Sequence, residues 1–218
     1  MKFAATLLKD FPEKVVDFVD KNTNMTHYWS DAMYEVTDGV PKTGMGIFLF
    51  RQGLPTVCAR ATVPDYILKQ LLPRKQQIGQ LEALACLLGP YCYPEYFRDA
   101  DVMHYQDNTS SLAGTIRGGS GIEDSNCIFQ LFAIRMATLR ARYWSEFVES
   151  AANLADEPSR QEGACPIAEA LGARIDSCQL PDLRDLWAAP LDQLVEFAAA
   201  LKTDGQLARA VVRAATVP

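Results

Sequence analysis

Gly44-Met-Gly-Ile-Phe-Leu-Phe-Arg51, Gln52-Gly-Leu-Pro55 and Thr56-Val-Cys-Ala-Arg-Ala-Thr-Val63 are the stretch that decides the fold. The outer pieces are rich in β-branched and aromatic residues, and the four residues between them suit a tight antiparallel connection. Upstream, Thr26-His-Tyr-Trp-Ser-Asp31 reads as another strand, followed by a turn-like segment over 35–43. Downstream of Pro64 the period changes. Residues 76–88 take helical spacing, with Gly89-Pro90 as the stop. A strand over 101–107 ends in a carboxylate, and a short helix over 109–117 runs into Gly118-Gly-Ser-Gly121. A longer helix over 124–142 carries Ile128, Leu131, Ile134 and Leu139 on or near one face, and residues 143–148 form a fifth strand. Strands first, then helices alternating with strands, predict an α/β fold: a mixed five-stranded sheet flanked by helices.

The two ends differ from this middle. Residues 12–21 space Val15, Phe18 and Val19 helically, with Pro12 suited to a first turn, so 1–24 is predicted as an N-terminal helical segment. In residues 161–218 Ala and Leu dominate, eight acids face five Lys+Arg, and strand formers are sparse. Helices are expected over 181–187 and 191–212, making 161–218 a helical C-terminal extension of a 25–160 domain, with the boundary near 160–164.

Composition narrows the function. The chain has 218 residues, 49% apolar and 22% charged, the balance of a globular protein with a sizeable core. Its net charge of −6 argues against a protein that grips nucleic acid through a broad basic surface. No apolar run approaches the roughly 20 residues that span a bilayer, so no membrane is expected. The apolar start at residues 3–8 is too short for a signal peptide. Six cysteines without a Cys-x-x-Cys pair, and two histidines, argue against a zinc finger. They read as reduced core residues of a cytoplasmic or nuclear protein.

Three acids stand where solvated charge is not expected. Asp31 shares its side of a strand with Trp29 and His27, and Asp107 shares its side with Tyr105 and Met103. Glu82 lies on a helical stripe with Ile78, Ala85 and Gly89. An inward carboxylate costs several kcal/mol unless it is paired or binds a metal. A shared cation would serve all three. The plainer alternatives are that Asp107 caps the helix that follows it and that Glu82 sits at a rim.

The runs Ile78-Gly-Gln-Leu-Glu82-Ala-Leu-Ala, Tyr105-Gln-Asp107-Asn-Thr-Ser-Ser-Leu112 and Asn153-Leu-Ala-Asp156-Glu-Pro-Ser-Arg160 resemble the ribonuclease H-like domain. The resemblance is to those attached to reverse transcriptases of retroelements, particularly DIRS-type elements, and covers roughly residues 25–160. It implies a ribonuclease H-like fold and a two-ion site for Mg²⁺ or Mn²⁺ held by Asp31, Glu82, Asp107 and Asp156. It further implies hydrolysis of the RNA strand of an RNA–DNA hybrid and an adjoining reverse transcriptase domain as partner. Hard carboxylate oxygens suit such ions better than zinc. Two departures stand out: no His lies between Tyr143 and Asp156, and the segment from Asp31 to Gly44 lacks the usual close strand-turn-strand. A catalytically inactive module that binds nucleic acid or protein is the competing expectation.

Hybrid binding needs positive charge. Residues 51–75 hold Arg51, Arg60, Lys69, Arg74 and Lys75 against Asp65, and the longer helix adds Arg135, Arg140 and Arg142. With Asn108 and Arg117 beside the expected site, Arg135, Arg140 and Arg142 are the candidate nucleic-acid contacts. A plain solvated helix face explains the three arginines equally well.

Overall fold

A computed structural model describes residues 25–74, 77–160 and 164–203. The predicted helix over 12–21, the end of the predicted helix over 191–212, and most of the 160–164 boundary lie outside them. In chain order the strands are β1 (Met25–Thr37), β2 (Val40–Arg51), β3 (Val57–Ala61), β4 (Asp101–Gln106), β5 (Arg142–Phe147) and β6 (Arg174–Ser177). The helices are α1 (Asp65–Leu68), α2 (Ile78–Cys92), α3 (Pro94–Phe97), α4 (Thr109–Arg117), α5 (Glu123–Thr138), α6 (Asp156–Arg160), α7 (Pro166–Ala170) and α8 (Ala189–Thr203).

The sheet has six strands rather than the expected five, in the order β5-β4-β1-β2-β3-β6. β1, β2 and β3 are antiparallel neighbours, while β4 runs parallel to β1, β5 to β4, and β6 to β3. The sixth strand corrects the reading of residues 161–218 as wholly helical. Arg174-Ile-Asp-Ser177 is a four-residue edge strand, mostly exposed, so it carries no apolar alternation to read. The expected helix over 181–187 is instead a run of turns leading into α8.

The segment read as a turn over 35–43 belongs to the arms of one long hairpin. β1 and β2 pair from Thr26↔Arg51 to Thr37↔Val40. Only Asp38 and Gly39 turn, both at positive φ (52° and 78°), the two-residue geometry that matches strand twist. The expected departure from a close strand-turn-strand is therefore absent. Asp31 lies within a 13-residue strand instead of closing a short one.

α2 crosses the predicted stop at Gly89-Pro90 and ends at Cys92. Proline has no N–H for the carbonyl of residue 86, which should break the helix. Tyr28 on β1 compensates, its hydroxyl reaching the carbonyls of Ala85 (2.9 Å) and Cys86 (3.2 Å). That approach needs Gly89, since a Cβ there would sit 2.8 Å from the Tyr28 ring. α2 thus lies against the face of β1 that carries Tyr28 and Ser30, and with α5 covers the main core of Leu81, Leu84, Leu88, Ile128, Phe132 and Met136. The opposite face is covered over β2 and β3 by α6 and α7, around Phe48, Cys58, Cys165 and Ala168. No helix among the described residues is long and apolar enough to cross a membrane.

Candidate metal centre

Strand register brings two of the acids together. Trp29 pairs with Tyr105 in the parallel β1–β4 ladder, where the pairing ends. Asp31 and Asp107 lie two residues further along each chain, on the same side as those two rings. Trp29 and Tyr105 stack at 4.6 Å, so an aromatic pair adjoins the two carboxylates.

Glu82, in the second turn of α2, completes the cluster. Its carboxylate takes a hydrogen bond from the Ala32 N–H, just past the end of the β1–β4 pairing. One carboxylate oxygen from each of Asp31, Glu82 and Asp107 lies within 4.8 Å of the other two. Asp31 and Glu82 are buried, at 3% and 6% exposure, and Asp107 is half-buried. Asp107 does not cap α4. Asn108 does, accepting from the N–H groups of Ser110 (3.0 Å) and Ser111 (3.1 Å), which leaves Asp107 to the cluster.

The remaining donors around the three acids are neutral. The Ser159 hydroxyl reaches Asp31. Asp107 accepts from the Ser150 hydroxyl and from Asn153 Nδ2 at 3.2 Å. Asn153 Nδ2 also donates to the Ser30 carbonyl at 3.2 Å, and its own Oδ1 accepts from the Ala155 N–H at 3.1 Å. The buried Asn153 therefore ties β1, Asp107 and the start of α6 into one unit. Neither Asn153 nor Ser159 emerged as a site residue from the sequence, although both lie in the run 153–160 that carried the family resemblance.

Two glycines let α6 approach this closely. A Cβ on Gly44 would lie 1.9 Å from the Ser159 carbonyl oxygen, and one on Gly46 would lie 2.4 Å from that of Ala155. Gly46 is also the β2 partner of Asp31. Glycines two apart on an inner strand are the available signal of a close backbone contact. Substituting either would lift α6, and Ser159 with it, away from Asp31.

Asp156 is not among the three clustered acids. It opens α6 with its carboxylate bonded to Arg160 Nε at 2.8 Å, a helical i,i+4 pair. It still stands close enough to act on Asp31. Burial, with repulsion from Asp107 and Asp156 and against the Ser159 hydrogen bond, pushes the Asp31 carboxyl up to about 6. Burial, then the charges of Asp31 and Asp107, push Glu82 up to about 9. At neutral pH the three carboxyls by themselves therefore keep a proton on Glu82.

The expected nucleic-acid contacts are largely occupied by the protein itself. Arg135 donates from Nε to the Pro90 carbonyl at 3.0 Å and lies over the Tyr91 ring. Arg140 pairs with Asp99, and Arg142 makes a two-pronged pair with Asp101 at 2.7 and 2.8 Å. Arg51 donates to the carbonyls of Glu95 and Tyr96, and Arg74 pairs with Asp124. Asn108 is the α4 cap, and Arg117 is exposed in the last turn of that helix. Lys75 lies outside the described residues.

Compared with known proteins, the chain matches no family model and no curated sequence.

Proposed function

We propose that this protein is a ribonuclease H-like nuclease of retroelement type that hydrolyses the RNA strand of RNA–DNA hybrids with the help of divalent cations. One observation carries the reading: acids from β1, α2 and the end of β4, far apart in sequence, meet within 4.8 Å among neutral donors. That is the strand-Asp, helix-Glu, strand-Asp order that the sequence resemblance implies. Like charges held this closely under burial are unfavourable alone, and the donor set of hard oxygens fits Mg²⁺ or Mn²⁺.

Bound there, divalent cations would supply Lewis acidity that lowers the pKa of water and offsets phosphodiester charge. The protein's own part is to hold and orient. Asp31 and Asp107 face one another across neighbouring strands, with Asn153 and Ser150 fixing the angle of Asp107. Glu82, which holds its proton among the other two acids, would have to give it up to serve as a ligand. Asp156, beside the cluster and tied to Arg160, is the fourth carboxylate of the site, and Arg160 supplies a positive charge at its edge.

A second reading is favoured by a specific observation. Asp156 is spent on Arg160, and Arg51, Arg74, Arg140 and Arg142 are spent on partners within the chain, as suits an inactive ribonuclease H-like module that binds nucleic acid or protein. A cleavage assay separates the two. With Mg²⁺ or Mn²⁺ the purified protein is expected to cut an end-labelled hybrid in its RNA strand, and Asp107→Asn is expected to abolish cutting while leaving the melting curve intact. A wild-type protein inert on hybrid, duplex DNA and single strands under both metals overturns the nuclease reading in favour of the second.

A further inference from the structure

Away from the acids, two pairs of cysteines tie the segment after residue 164 to the body of the sheet. Cys58 on β3 lies 3.7 Å, sulfur to sulfur, from Cys165 at the start of α7, and both are fully buried. Cys92, the last residue of α2, meets Cys178 just beyond β6, and both are only partly buried.

Two contacts hold the segments of the second pair together, and a third fixes Cys178 on the sheet. Cys92 Sγ donates to the Gln179 carbonyl at 3.1 Å, next in chain to Cys178. The Tyr93 hydroxyl, next in chain to Cys92, donates to Asp176 at 3.1 Å. The Cys178 N–H donates to the Arg60 carbonyl at 2.9 Å, which fixes Cys178 at the end of the β3–β6 ladder.

We propose that Cys92 and Cys178 form a thiol modification site that a peroxide converts to an intramolecular disulfide, linking the end of α2 to the end of β6. The Cys92 thiolate attacks one oxygen of hydrogen peroxide. The O–O bond breaks, Cys92 becomes a sulfenic acid, and the departing hydroxide takes up the thiol proton to leave as water. The Cys178 sulfur then attacks the Cys92 sulfur. The new S–S bond displaces the sulfenic hydroxyl, which leaves as a second water with the Cys178 proton. Two thiols and one peroxide thus give one disulfide and two waters.

The other pair is the internal control. The hydrogen bond between the two sulfurs lowers the Cys92 thiol and raises the Cys178 thiol, and both side chains are only partly buried, so Cys92 is the sulfur that meets the peroxide first and Cys178 the one that follows. Burial, with the neighbouring Cys165, pushes Cys58 up to about 12, so it holds its proton and lies out of a peroxide's reach. Cys86 is likewise buried and pushed up to about 12.

The test uses the full chain under native conditions. Purified protein is treated with a small excess of hydrogen peroxide at neutral pH, blocked with iodoacetamide, unfolded, blocked with a second alkylating label, and mapped by mass spectrometry without reduction. The expected result is a joined peptide pair through Cys92 and Cys178, two hydrogens lighter than the free thiols, with Cys58, Cys86 and Cys165 carrying only the second label. Because the bond closes a long loop, the oxidised protein should melt about 5 °C higher than the reduced one. In Cys178→Ser the pair should vanish and Cys92 should pass on to sulfinic acid. Recovery of both Cys92 and Cys178 as alkylated thiols, while a free cysteine peptide in the same tube is oxidised, overturns the proposal. So does a Cys58–Cys165 link at equal yield. The wild-type map stands whether or not the variant folds.

Discussion

Two groups of buried acid in this protein were solved in opposite ways. Asp124, at the start of α5, has no exposed side-chain surface and is surrounded by donors. It accepts from the Leu72 N–H at 2.9 Å, the Ser125 N–H at 2.7 Å, the Gln80 side-chain amide and the Arg74 guanidinium. Burial alone would raise its pKa, but those bonds hold it below the ordinary value. Asp31 and Glu82 are almost as deeply buried, yet their direct donors are a serine and one backbone N–H; beside them stand other carboxylates, with the charge of Arg160 acting only weakly from the edge, and both are pushed up. The contrast shows that burial does not mark a site. A structural acid is buried together with its donors, whereas the β1–α2–β4 cluster is buried with like charge, a deficit that a proton or a cation can meet.

The largest effect should come from breaking the satisfied acid. Asp124→Ala leaves the Leu72 N–H and the Gln80 amide without their acceptor and Arg74 without its counter-charge. The expected loss is about 3–5 kcal/mol of stability, read from the urea midpoint, the same with or without Mn²⁺. A loss under ~1 kcal/mol would mean that Asp124 is not the anchor its bonds suggest. The opposite sign is expected at the cluster. Glu82→Gln removes a carboxylate that folding holds in an unfavourable setting and should stabilise the metal-free protein by about 4 kcal/mol at pH 8. The same substitution should erase the rise in melting temperature that Mn²⁺ gives the wild type.

How much of this was legible beforehand follows from the range of the signals. Strand alternation and helical spacing are local, and they suffice to point Asp31, Glu82 and Asp107 inward. Asp124 went unnoticed because an acid in a first helical turn is ordinary, and its donors at Leu72 and Gln80 lie 52 and 44 residues away. Helix α2 runs through Gly89-Pro90 because the hydroxyl of Tyr28, 58 residues from Cys86, replaces the missing bond. β6 escaped notice because an exposed edge strand needs no apolar pattern. Asp156 matched its motif, but Arg160 one turn on engages it, and that competition depends on side-chain geometry rather than spacing. The pairing of the basic residues is hidden from the sequence for a related reason: Asp99, Asp101 and Asp124, which engage Arg140, Arg142 and Arg74, lie 41, 41 and 50 residues away along the chain.

The same contrast sets opposite pH limbs. Raised carboxyls keep protons longer in the folded than in the unfolded chain, so their cost appears as pH climbs. For Glu82 the cost grows from its ordinary 4.5 to about 9, and for Asp31 from 3.8 to about 6. Asp124 behaves in reverse: its contribution is present above the ordinary Asp value and is lost as pH falls through its lowered one. Subtracting the Glu82→Gln unfolding curve from that of wild type should therefore leave a difference near zero at pH 4 that widens by up to about 1.4 kcal/mol per pH unit above 4.5, to about 4 kcal/mol at pH 8. Saturating Mn²⁺ should flatten the wild-type limb, because the ion takes the place of the proton. A difference that is independent of pH would show that Glu82 is charged in the protein without added cation and would remove the electrostatic half of the comparison.

The smallest effect tests the border between the two kinds of acid position. Asp107 and Asn108 are adjacent, and either side chain type can cap a helix, but only Asn108 accepts from Ser110 and Ser111. Asn108→Ala should therefore cost about 1 kcal/mol, the ordinary value of an N-cap, and leave the Mn²⁺-induced melting shift in place. Asp107→Ala should do the reverse, losing the Mn²⁺ shift with little change in the metal-free melting curve, since the two bonds it gives up come from Ser150 and Asn153 at a half-buried position. If the two variants exchanged their behaviours, Asp107 would be the cap, and a carboxylate engaged by the α4 N-terminus could not also serve the cluster. The division of labour between these two neighbours is what turns a strand end into a candidate ligand.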